Sequence, residues 1–198
     1  MIFDYENQEI QIKLVYYGPA MSGKTTSIRY LFSCFGKQDE LESIESTVGR
    51  TLFFDFGVLK FEGVNWGIKF LLYSATGQDF YASTRPSTLN GVDGIIFVAD
   101  SQKKRLNHNI QSWEELRNLI GPKMIEIPVI IALNKSDLLE GKKLKKGDII
   151  DQLKISNLKN ISFIKTTAIK GVGIMKSFQK IINYIFPELN IQMVAEKC

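Results

Sequence analysis

Residues 18–26 read GPAMSGKTT and follow EIQIKLVYY (9–17), a run that alternates before turning wholly apolar. A strand that breaks at Gly18-Pro19 and passes into KTTSIRYLFSCF, with apolar residues at helical spacing, is a strand-loop-helix unit. In the loop Gly18, Gly23, Lys24 and Thr25 satisfy G-x-x-x-x-G-K-S/T. Glycines let the backbone curl until successive N–H groups face one anion, and the helix N-terminus adds positive potential. Lys24 brings a full charge to the outer phosphates, and the Thr25 hydroxyl is suited to Mg²⁺. Ala20, Met21, Ser22 and Thr26 complete the expected phosphate-binding set. The loop alone does not choose between ATP and GTP.

Outward from this loop, TLFFDFGVLKF (51–61) and IKFLLYS (68–74) are β-rich runs joined by EGVNWG, which predicts a hairpin. GIIFVAD (94–100), IPVIIALNKSD (127–137) and ISFIKTTA (161–168) read as further strands. Between and after them, LNHNIQSWEELRNLI (106–120), the lysine-rich GKKLKKGDIIDQLK and GIMKSFQKIINYIF (173–186) supply helices, the first ended by Gly121-Pro122. Strands alternating with helices imply right-handed crossovers. The expected fold is therefore three-layer α/β/α, with a mostly parallel six-stranded sheet and one antiparallel edge strand, ligands lying at the carboxyl ends of strands.

The chain of 198 residues, with 44% hydrophobic and 23% charged residues, fits one folded α/β domain over residues 1–198 and excludes a disordered or collagen-like class. Its 25 basic and 21 acidic residues leave a net charge of +4, too balanced to imply nucleic acid as a partner. Two cysteines without metal-ligand spacing, an N-terminus unlike a signal peptide and no apolar run near the roughly 20 residues of a membrane span predict a cytoplasmic protein. Lys103, Lys104, Arg105 and KKLKK read as solvated charge, so contact with a membrane surface is unsupported. His108 reads as a surface residue of its helix, and AEKC at the C-terminus is no prenylation box.

The base is chosen by Asn134, Lys135 and Asp137, the NKSD after the fifth strand. A buried Asp137 would accept from two guanine donors at once and be left unpaired against adenine, which favours guanine. Thr167, Ala168 and Ile169 end the last strand, where the Ala168 N–H is expected to reach the guanine oxygen.

These motifs, in this order over nearly the whole chain, resemble a Ras-superfamily small GTPase with the P-loop NTPase fold. The stretches YYGPAMSGKTT, RTLFFDF (50–56), GQDFYASTR (77–85) and GVDGIIFVADSQ (91–102) are similar to its bacterial and archaeal MglA-type branch. The superfamily has an Asp-x-x-Gly segment whose carboxylate holds Mg²⁺ through water; here it is Ser74-Ala75-Thr76-Gly77. MglA-type proteins also carry a small hydroxyl residue there, so the change need not abolish activity. Modestly weaker magnesium binding is expected, with Asp55 or Asp100 as a replacement carboxylate, although Asp55 in a β-run could equally face solvent.

By the same resemblance, Gln78 orients the attacking water, the Gly77 N–H holds the terminal phosphate, and Arg50 is an intrinsic cation for a transition state that such a charge stabilises by ~10³-fold or more. With Lys24 these form the expected catalytic set. KQDELESIESTVGR (37–50) reads as an irregular first switch, in which Thr47 is the preferred Mg²⁺ and phosphate contact and Thr51 the alternative. GTP/GDP and Mg²⁺ are the implied cofactors. A roadblock-domain dimer of the MglB type is the implied regulator, with Phe80 and Tyr81 suited to its interface, alongside an effector of unknown identity. Two rivals remain: a nonhydrolytic GTP-binding scaffold, and an ATP-using P-loop enzyme.

Overall fold

A computed structural model describes residues 1–45, 51–77, 79–138, 143–153, 155 and 158–188, without the side chains of 42–45, 51–54, 79–81 and 146. Its strands are β1 (Ile2–Asp4), β2 (Glu9–Tyr17), β3 (Leu41–Glu45), β4 (Thr51–Phe61), β5 (Gly67–Ala75), β6 (Gly94–Asp100), β7 (Val129–Asn134) and β8 (Ile161–Lys165). The helices are α1 (Lys24–Cys34), α2 (Arg85–Leu89), α3 (Leu106–Ile120), α4 (Lys146–Leu153) and α5 (Ile174–Ile185).

All eight strands share one sheet in the order β3-β4-β5-β2-β6-β7-β8, with β1 added antiparallel to the start of β2. β2 is parallel to both β5 and β6, and β6, β7 and β8 continue in parallel. The hairpin is β4 antiparallel to β5. The mostly parallel sheet and hairpin are as expected, but two short strands raise the expected six to eight. β1 is 3 residues long and β3 is 5, too short for alternation to signal them. β3 also lies within the polar stretch expected to be irregular, where pairing with β4 supplies the order.

Period-two alternation divides the core. Ile12, Leu14 and Tyr16 of β2 face α1 and α5, packing with Ile28, Phe32, Phe178 and Ile182. Val15 and Tyr17 face the other way, with Trp113 and Leu116 of α3 and Ile149 and Leu153 of α4. Each helix therefore buries one apolar stripe on one sheet face, giving three layers. The sheet's switch point is β2, where the chain crosses from β5 on one side to β6 on the other, and the loop after β2 opens there.

Candidate functional site

The loop between β2 and α1 is the floor of a cleft. Gly23 precedes α1 with φ 104°, and a Cβ there would stand 2.2 Å from Asn134 Nδ2, so the position requires glycine. Met21 is also left-handed, at φ 61°. Among the described residues no side chain caps α1, and its first turn holds no acidic residue, so the helix N-terminus keeps its positive potential there. Lys24 Nζ donates to the carbonyls of Gly18 at 2.8 Å and Pro19 at 2.9 Å. Burial, aided by the neighbouring Arg85 cation and opposed by Asp55, pushes the Lys24 ammonium down to about 7.

A buried carboxylate stands on the strand adjacent to the Ser74 segment. Asp55 on β4 pairs directly across from Ser74 on β5, and both point to the α1 side of the sheet, where both are fully buried. Thr25 Oγ1 donates to Asp55 Oδ2 at 2.6 Å, the short length of a charge-assisted bond. Among the described residues the Ser74 hydroxyl finds no hydrogen-bond partner, and neither does that of Ser22. A hydroxyl, a buried carboxylate and a buried polar atom still short of a partner form an oxygen-rich set that fits Mg²⁺. Asp55 therefore does not face solvent. Asp100, the other candidate, is taken up elsewhere: Lys135 Nζ lies 2.5 Å from its Oδ2, and it accepts from the Gln102 amide at 3.0 Å.

At the other end of the cleft, Met21, Gly23, Thr26, Asn134, Lys135, Asp137, Thr167, Ala168 and Ile169, nine positions expected from sequence, line one cavity of about 300 Å³ together with Leu138. Asn134 joins its walls, donating from Nδ2 to the Ser22 carbonyl at 2.8 Å and accepting at Oδ1 from the Ala168 amide at 2.9 Å. The Ala168 N–H expected to meet the guanine oxygen is thus engaged by Asn134, because the end of β7 and the loop after β8 are pressed together there. Asp137 is not the buried carboxylate expected. It stands exposed at the rim, in the turn after β7, its Oδ2 3.5 Å from Lys170 Nζ. Lys135 sits within that turn at φ 62°.

The ADP-ribosylation factor family model matches residues 1–185. Over 192 residues the chain is 36% identical to the mutual gliding-motility protein MglA of Myxococcus xanthus (strain DK1622), covering 94% of this chain and 96% of that protein. This chain is a Ras-superfamily small GTPase of the MglA type. It is also 29% identical to the Ras-related protein Rab2BV of Beta vulgaris, over 92% of this chain and 79% of that one. The Trypanosoma brucei Arl6 BBS3 small GTPase, solved with the bound nucleotide analogue GppNp, shares the fold at TM-score 0.66 and 18% identity, covering 91% of this chain and all of that one. Guanine nucleotides are the ligands of this family.

Of the other residues expected in the GTPase site, Gly18, Ala20, Ser22, Lys24 and Thr25 surround the loop, and Gly77 lies against it, where a Cβ would come 2.4 Å from the Ala20 nitrogen. Thr47, Arg50 and Gln78 lie outside the described residues, as do Phe80 and Tyr81 in their side chains, and Thr51 is placed only as the first residue of β4. His108 is exposed on α3, as expected. Sequence reading missed a buried polar chain beside the cleft. Arg85 Nε donates to the Thr76 carbonyl at 3.0 Å, the Arg85 guanidinium pairs with Glu115, and Tyr17 Oη donates to Glu115 at 2.8 Å. An arginine at the head of a short helix carries no pattern that would have marked it.

Proposed function

We propose that this small GTPase is a molecular switch that binds GTP with Mg²⁺ and hydrolyses it to GDP and phosphate. The observation that supports it best is the 2.6 Å bond from Thr25 to Asp55. It joins a hydroxyl and a buried carboxylate at the head of the helix whose loop would cradle the phosphates. Thr25 and, through water, Asp55 would hold the ion, with Thr47 or Thr51 added from the first switch. When bound, Mg²⁺ would neutralise charge on the outer phosphates.

The remaining roles fall to this chain's own groups. Lys24 and the backbone N–H groups of residues 20–26 bind the phosphates, and Gly77 offers its N–H to the terminal one. Gln78 orients the attacking water, and Arg50 supplies a further cation. Asp137 reads the guanine edge, with Lys135, Asn134 and the 167–169 loop walling the base. Among the described residues no helix is long and apolar enough to cross a membrane. Slow intrinsic turnover would call for a roadblock-domain regulator of the MglB type in the cytoplasm, with an effector recognising the GTP form.

The test is to identify the copurifying nucleotide and to follow single-turnover phosphate release with Mg²⁺, with and without a roadblock-domain protein. Guanine nucleotide, release of phosphate and acceleration by the partner are expected. Gln78→Leu should slow release about tenfold or more while leaving nucleotide affinity unchanged. Bound GTP that is never hydrolysed would establish the nonhydrolytic scaffold instead.

A further inference from the structure

Thr76 and Gly77 are the two residues between the end of β5 and Gln78, and the peptide that joins them is held from both sides. On the cleft side, Gly77 packs so closely on the phosphate loop that a Cβ would stand 2.6 Å from Ala20 Cα and 2.7 Å from the Pro19 carbonyl carbon. The Thr76 carbonyl of the same peptide accepts from Nε of Arg85, a residue only 5% exposed at the start of α2. The same guanidinium is anchored to Glu115 of α3, and Glu115 in turn is held by Tyr17 Oη at the end of β2.

A trans peptide is planar, and its carbonyl and N–H point in opposite directions. Whatever draws the Thr76 carbonyl away from the cleft therefore aims the Gly77 N–H into it. An arginine fork is rigid enough to fix that direction, because its donors share one plane, and a lysine ammonium is not. Burying the guanidinium is costly unless each donor is paired, which makes departure from this arrangement unfavourable.

We infer that Arg85 is a positioning residue which, anchored by Glu115, aims the Gly77 amide at the terminal phosphate and so sets the preference of the site for nucleoside triphosphate over diphosphate. The inference rests on the reading of the chain as a GTP-binding switch. A diphosphate has no oxygen at that amide, so the effect belongs to the triphosphate alone.

The test uses the full chain and its Arg85→Gln, Arg85→Lys and Glu115→Gln variants. Affinities for GDP and for a nonhydrolysable GTP analogue are measured with Mg²⁺, together with the thermal midpoint of the GDP-bound protein. Arg85→Gln should lower the ratio of analogue to GDP affinity about tenfold while GDP affinity stays within about twofold. Arg85→Lys should recover only part of the ratio, and Glu115→Gln, which keeps an acceptor for Arg85, should lower it about threefold. An unchanged ratio, or parallel loss of both affinities with the thermal midpoint, would overturn the inference. If the Arg85 variants do not fold, an unchanged ratio in Glu115→Gln does the same. Wild-type protein that binds neither nucleotide would instead overturn the switch reading on which the inference rests.

Discussion

At the phosphate end of the cleft Lys24, Asp55, Ser74 and Thr76 are all buried, whereas at the base end Asp137 stands at the rim and its partner Lys170 is 63% exposed. The phosphate end is tightly tied: Lys24 is bonded to two carbonyls, Thr25 to Asp55 and Thr76 to Arg85. At the base end Asn134 bridges the phosphate loop and the loop after β8 along the inner wall, and the outer wall is a solvated ion pair. Charge chemistry needs dipoles fixed in advance in a dry setting, while entry and release of a base need an edge that can open.

Three substitutions press on this contrast. The largest effect is expected at the rim. Asp137→Ala should cut the preference for GTP over ATP by about 100-fold, less than the 10⁴ or more of a fully enclosed hydrogen-bonding site, since water can reach this carboxylate. Competition of the two nucleotides for a fluorescent guanine analogue measures it. An unchanged preference would remove Asp137 from base recognition and break the division between the two ends.

Next is Asp55→Asn, which keeps the shape but removes the charge beside Thr25. The Mg²⁺ concentration that half-maximally strengthens GTP binding should rise about 10- to 100-fold, the usual cost of losing an outer partner of a metal site. Titration of Mg²⁺ against GTP affinity checks it. The smallest effect is reserved for the other candidate carboxylate, Asp100. Asp100→Asn should leave that Mg²⁺ midpoint within about twofold, because Asp100 serves Lys135, while lowering stability by about 1–3 kcal/mol through the weakened ion pair. Chemical denaturation gives the second number, and a shifted Mg²⁺ midpoint would mean that the two aspartates share the site.

The outcome at these aspartates also separates what could be read along the chain from what could not. GPAMSGKTT and NKSD were legible because each is a contiguous segment whose chemistry follows from residue type and from the strand before it. The helix over 106–120 and the strand over 94–100 were legible for the same local reason, a clear period between clear stops. The choice between Asp55 and Asp100 was not. It depends on strand register, which places Asp55 opposite Ser74 and facing α1, and a shift of one residue would have turned it to the other face.

What the sequence determined by itself was therefore the set of local devices: the glycine-rich loop between β2 and α1, the NKSD turn after β7, the alternation of strands and helices, and the family to which they belong. Tertiary structure alone decided how residues far apart in the chain complete one another. Asp55 meets Thr25 beside Ser74, Asn134 closes the wall between two loops, and Arg85 reaches Thr76 and Glu115 at once. The reason is physical: a motif is written by neighbours along the backbone, whereas a buried charge is matched by whichever partner the packed sheet and helices bring within hydrogen-bond reach.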